Sequence, residues 1–179
     1  QCSSNGHPGL PVDLMNTVSV TLRAWALCGA IWGAALAPQS ASAAEDLQVH
    51  SCLRDAAAYH HVDLQLLRAI AQVESGFNPS AKNLNKNGTG DHGLMQVNDW
   101  WMPKLRRFGI STSNLYDACT SAYVGAWILA HSFKQYGYTW RAIGAYNSPN
   151  SDKQMIYAEK VNKALQALSS PAVEGIQWK

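Results

Sequence analysis

The stretch Ile70-Ala71-Gln72-Val73-Glu74-Ser75-Gly76-Phe77-Asn78-Pro79 places a carboxyl group where a helix ordinarily avoids one. Residues 63–75 have helical spacing, with Asp63 positioned to cap the start and Leu67, Ile70 and Ala71 forming an apolar stripe. Glu74 follows these three by seven, four and three residues, which sets it on or beside the buried face. It also falls in the last turn, because Ser75-Gly76 and Asn78-Pro79 end the helix, and that end of the macrodipole disfavours an anion. A carboxyl held there among apolar neighbours keeps its proton to higher pH, as a general acid working near neutrality requires. The competing reading is a Glu whose stem packs while its head reaches water.

Glycoside cleavage usually needs a second carboxylate about 5 to 9.5 Å from the acid. Asp91 and Asp99 follow Glu74 in the chain, but both read as turn or capping residues. A glycosidase built on Glu74 alone would rely on a nucleophile within its substrate. Asn83, Asn85, Asn87 and Gly88 match the first spacings of a calcium loop, yet position twelve is Leu94 where a bidentate Glu is required. The stretch reads instead as a flexible polar turn. His60 and His61 are adjacent, so on a helix they point about 100° apart and do not form a ligand pair. With no HExxH, G-x-S-x-G or glycine-rich phosphate loop in the chain, no metal or cofactor is expected.

Flat aromatic faces and amide side chains suit sugars, whose C–H faces are rimmed by hydroxyls. Trp100, Trp101, Trp127, Trp140, Tyr123, Tyr136, Tyr138, Tyr146 and Tyr157 supply the aromatics, with Gln96 and Asn98 beside the Trp100-Trp101 pair. Trp127 lies mid-helix and reads as core, whereas the Trp pair reads equally well as core or sugar platform.

The elements that must position these groups are helical nearly throughout. Helices are expected near 49–60, 63–75 and 99–107, and a long one from Asp117 to Gly137. Thr139 caps a short helix, and Ser151 with Gln154 forms a capping box for the last. No strand signal stands out, so the chain reads as one mainly α domain.

No Met precedes Met15, and 1–14 reads as an upstream remnant. From Met15 the pattern is that of an export signal over 15–43: Arg23, an apolar run from Ala24 to Ala37, then the small-residue site Ala41-Ser42-Ala43. That run is short for a membrane span. Residues 44–168 would form the domain and 169–179 a tail. The net charge of +2 suits an anionic wall polymer but is too sparse for nucleic acid. The exported part keeps Cys52 and Cys119, an even pair that suggests a disulfide in an oxidising compartment.

Four motifs in order carry a resemblance that composition alone would not. Glu74-Ser75-Gly76-Phe77-Asn78-Pro79, Gly93-Leu94-Met95-Gln96-Val97-Asn98, Ala145-Tyr146-Asn147 and Tyr157 in a final helix together resemble the soluble lytic transglycosylases, over Cys52 to Leu165. Within that family the chain is most similar to the small one-domain enzymes of type III secretion, conjugation and type IV pilus machines. Those also tend to carry cysteines at the places of Cys52 and Cys119. The resemblance implies a lysozyme-like α fold and cleavage of the β-1,4 bond between N-acetylmuramic acid (MurNAc) and N-acetylglucosamine (GlcNAc) in peptidoglycan. The product would carry a 1,6-anhydro ring on MurNAc.

It further implies that Glu74 is the acid, that Gln96 and Asn98 bind sugars, and that Tyr146 orients Glu74 or the substrate. Asn147 would shape that wall, Ser75 would bond near the acid, Met95 would pack beneath it, and Tyr157 would bond across the cleft floor. The expected protein is a periplasmic monomer acting on peptidoglycan strands beside components of such a machine, with no anchor once the signal is cleaved. Two readings compete: a muramidase of the same fold, and a glycan-binding module without activity. Two departures stand out. Ser148-Pro149 replaces the usual Ala-Gly after Tyr146-Asn147, and an Asn-Lys-Gly loop replaces a serine-rich stretch before the Met-Gln motif.

Overall fold

The computed structural model describes Gln39–Ser169. The stretch 1–14, the expected export signal up to residue 38 and most of the tail lie outside the described residues. The described residues form six α-helices and a small sheet: α1 (Gln39–His60), α2 (Leu64–Ser75), α3 (Met102–Leu105), α4 (Ala118–Tyr136), α5 (Trp140–Asn147) and α6 (Ser151–Ser169). Three short strands, β1 (Lys82–Leu84), β2 (Gly90–His92) and β3 (Val97–Asn98), pair antiparallel in the order β1-β2-β3. Lys82 faces His92 and Asp91 faces Asn98 across the ladder.

Local chemistry explains most of the boundaries. The Asp63 carboxylate accepts from Leu66 N at 2.8 Å to start α2. Asp117 accepts from Thr120 N at 2.8 Å to start α4, and Thr139 Oγ1 from Ala142 N at 3.3 Å to start α5. The last helix departs from expectation. Asn150, not Ser151, is its cap, accepting from Asp152 N at 3.0 Å and Lys153 N at 3.2 Å. Gln154 is buried and donates to Ser148 O at 3.0 Å, tying the Ser148-Pro149 turn to α6. The helix expected near 99–107 is broken into 3₁₀ turns flanking the four residues of α3. Helix α1 begins ten residues before the expected start, at Gln39.

The larger correction is the sheet. The stretch read as a flexible polar turn is a β-hairpin, with Lys82, Asn83 and Leu84 all exposed. Strands of two or three residues, one of them exposed on both faces, show no apolar alternation for sequence to reveal. Side chains fasten the hairpin instead: His92, buried, meets Asp99 Oδ1 through Nε2 at 2.9 Å and the Tyr116 hydroxyl through Nδ1 at 2.9 Å.

Leu53 of α1, Leu67 and Ile70 of α2, Leu129 of α4 and Val161 of α6 share one core with Leu94 and Met95. Gly125 lets Met95 lie against α4, since a Cβ there would stand 2.7 Å from Met95 Cγ. The Cys52–Cys119 disulfide joins α1 to the first turn of α4. Closing a loop of 67 residues, it contributes about 4 kcal/mol in the chain-entropy account.

Candidate active site

Glu74 sits where its sequence context placed it, in the last turn of α2 beside the core residues Ile70 and Ala71. Gly76 ends the helix in the left-handed region at φ 62°, which a residue without Cβ adopts at little cost. Burial is the largest influence on the carboxyl and raises it from the usual 4.5 to about 7. Some residue surface stays open, because Glu74 lines a pocket of about 360 Å³ with Val73, Asn147, Lys153, Ile156, Tyr157 and Lys160. The Tyr157 hydroxyl donates to Glu74 Oε1 and opposes the rise, as does the Lys160 ammonium, while the Asp91 charge adds to it.

Burial likewise holds Tyr146 and Tyr157 well above the ordinary phenol value, and the charge of Glu74 adds to both shifts. Both rings therefore act as neutral donors. They lie nearly parallel, with centroids 6.4 Å apart. Their hydroxyls diverge, since Tyr146 donates to Met95 O at 2.9 Å. The hydroxyl that reaches Glu74 is therefore that of Tyr157, while Tyr146, expected to orient Glu74 or the substrate, reaches backbone.

Ser75 Oγ also bonds to backbone, at 2.7 Å to Leu94 O, and Met95 N donates to Ser121 Oγ at 3.1 Å. Three hydroxyls thus fix the fully buried Leu94-Met95 turn, from α2, α4 and α5. The Gln96 side-chain nitrogen is committed to Ala81 O at 3.1 Å and Gly93 O at 2.9 Å. Any contact it makes with a sugar must come from its carbonyl oxygen. Asn98 is more fully engaged. Its nitrogen donates to Asp91 Oδ1 at 2.6 Å and Thr89 Oγ1 at 3.1 Å, and its oxygen caps the turn at Trp100 N, 3.0 Å away. Gln96 and Asn98 lie outside the lining of the Glu74 pocket, whereas Asn147 is exposed within it.

The residue that sequence reasoning set aside is Asp91. It stands on β2 rather than in a turn, and amide groups of three asparagines converge on its carboxylate. Asn83 and Asn85 reach Oδ2 at 3.1 and 2.9 Å, and Asn98 reaches Oδ1. The signal was present as Asn83-x-Asn85, two amides two residues apart at the end of β1, but the same letters fit a degenerate calcium loop. Asp99 does act locally, accepting from Gly90 N at 2.6 Å and from His92, and these bonds hold its carboxyl below the usual range.

Trp100 is 66% exposed, and Trp101 stands edge-on to it at 4.7 Å. Trp127 is half-buried rather than internal, packed edge-on to Trp101 at 5.3 Å. The Lys104 ammonium lies 5.0 Å above Trp101.

Comparison with known proteins agrees with this architecture. The chain is 40% identical over 128 residues to invasion protein IagB of Salmonella typhimurium, covering 69% of this chain and 80% of that one. It is 41% identical over 115 residues to protein IpgF of Shigella flexneri, covering 62% and 76%. An inactive Glu-to-Gln mutant of the lytic transglycosylase Slt from Pseudomonas aeruginosa shares the fold, with TM-score 0.53 and 22% identity over 68% of this chain. This chain spans 24% of that longer protein. The family model described as Transglycosylase SLT domain matches residues 51–167, a span running from α1 to α6 and holding all four motifs, and the chain therefore belongs to the transglycosylase SLT family of peptidoglycan-acting enzymes.

Proposed function

We propose that this protein cleaves the β-1,4 bond between MurNAc and GlcNAc of peptidoglycan, with Glu74 as acid and then base. The observation that carries the reading is a carboxyl raised to about 7 by burial, opening on a pocket and held by a neutral tyrosine. Protonated Glu74 gives its proton to the glycosidic oxygen as the C1–O bond breaks. The carboxylate so formed is met by the Tyr157 hydroxyl, a bond that favours the charged form. The C6 hydroxyl oxygen of the same MurNAc closes on C1 and its proton returns to Glu74, leaving a 1,6-anhydro ring and a reprotonated acid. Holding both reacting groups in one sugar substitutes for a bound water nucleophile. The relative named an invasion protein supports a role in opening the wall for an envelope-spanning secretion machine, and hence a periplasmic location.

One observation favours a second reading. Asp91 is a fixed carboxylate whose charge reaches Glu74, as a hydrolase that positions water or stabilises positive charge at C1 would need. Digestion of purified sacculi, with products identified by mass spectrometry, decides between them. Anhydro-muropeptides from the wild type and none from Glu74→Gln are expected; reducing-end products would establish the hydrolase.

A further inference from the structure

The pocket beside Glu74 holds a feature that a neutral sugar does not require. Its α6 wall is built from Lys153, Ile156, Tyr157 and Lys160, which follow one another at helical spacing along a single face. Tyr157 holds the acid, and a lysine stands one turn before it and one turn after it. Neither lysine forms an ion pair among the described residues; the pair recorded on this helix joins Lys163 to Glu159 at 2.9 Å, away from the pocket. Between the lysines Ile156 is 61% exposed, and Val73 of α2 faces the same space. The wall therefore offers two cations about 10 Å apart along the helix axis, separated by an apolar surface.

In a peptidoglycan strand the amino sugars are neutral, and the negative charge near the scissile bond belongs to the peptide carried on the lactyl group of MurNAc. That peptide leaves the ring on which Glu74 would act. Its carboxylates include that of the second residue and the terminal one two or three residues on, and an extended chain covers about 7 to 10 Å over that length. Its alanine methyls match the apolar patch between the lysines. Resting on the glycan-cleaving reading above, we infer that Lys153 and Lys160 form a subsite for the carboxylates of the stem peptide, so that the enzyme selects peptide-bearing strands over bare glycan. The lysines act through substrate binding and register, not through proton transfer.

The test uses the full chain with its disulfide and two forms of sacculi, one intact and one stripped of stem peptides by an amidase. Wild type should release product faster from the intact form. The double variant Lys153→Gln/Lys160→Gln should lower the ratio of the two rates by about 5- to 10-fold, the effect of losing two exposed charge contacts. Taking the ratio cancels any change that removing Lys160 makes in the titration of Glu74. Lys153→Gln alone should move the ratio in the same direction through KM rather than kcat. Equal rates on the two forms, or a ratio unchanged in the double variant, would overturn the inference.

Sedimentation of the Glu74→Gln protein with both forms measures binding apart from turnover. Stronger binding to intact sacculi, lost with the lysines, supports the subsite. Binding that ignores either the peptides or the lysines overturns it. If the wild type cut neither form while binding still depended on peptides and lysines, the glycan-cleaving reading would fail and the subsite would stand.

Discussion

The helical side of the site and its sheet side hold their carboxylates in opposite ways. Glu74 projects from the end of α2 against apolar core and receives one side-chain donor, Tyr157. Asp91 projects from a three-residue strand and receives amide donors from Asn83, Asn85 and Asn98. Removal from water with little compensation favours the neutral acid at Glu74, whereas Asp91 is held in place by several N–H donors and bears a charge that raises Glu74. On the proposed reading the two carboxyl groups are fitted to different work: Glu74 to hold and return a proton, Asp91 to set a charge within reach of it. The contrast is one of burial and donor count, and each part can be altered separately.

The largest expected effect removes the helical side's proton. Glu74→Gln should lower turnover on sacculi by about 10³-fold or more while leaving the fold intact, since a positioned acid contributes on the order of 10² to 10⁴. Residual activity within tenfold of wild type would place the acid elsewhere. Asp91→Asn keeps the shape and one of the two acceptor oxygens but removes the charge. On the anhydro route it should cost about tenfold, a modest electrostatic loss, whereas a fall as deep as that of Glu74→Gln would favour the hydrolase.

Two subtler changes should move the pH profile in opposite directions. Activity that needs protonated Glu74 is full at lower pH and falls as pH rises through about 7. Tyr157→Phe removes a donor that lowers the Glu74 value, so the falling limb should shift to higher pH, with a loss of rate as the acid loses its anchor. Asp91→Asn removes a charge that raises the value, so its limb should shift to lower pH. Shifts of the same sign in both variants would break the contrast between the two sides.

A separate effect concerns stability rather than rate. A carboxyl raised from 4.5 unfolded to about 7 folded lends stability that is full below pH 4.5 and lost as pH rises to about 7. Above pH 7, Glu74→Gln should therefore be more stable than wild type, by up to about 3 kcal/mol in urea unfolding. Equal stability at pH 8 would mean that the carboxyl is better solvated than its surroundings suggest.

Sequence by itself determined the helical side. Apolar period, caps and stop signals are local, and Asp63, Asp117, Gly137 and Thr139 stand at the boundaries where those rules put them. The position of Glu74 against its own stripe followed from the same periodicity. The pairing of Cys52 with Cys119 and the order of the four motifs were equally legible, because they depend on residue identity and spacing alone.

Tertiary structure decided the rest. The hairpin at 82–92 has no apolar alternation and depends on Asp91, His92 and partners as distant as Tyr116. Tyr157 and Tyr146 are indistinguishable as letters. Which of them reaches Glu74 depends on how α5 and α6 cross, across separations of 83 residues to the acid and 51 to Met95 O. A side-chain hydrogen bond is settled within a few tenths of an ångström, and no local rule carries that precision over such a length of chain.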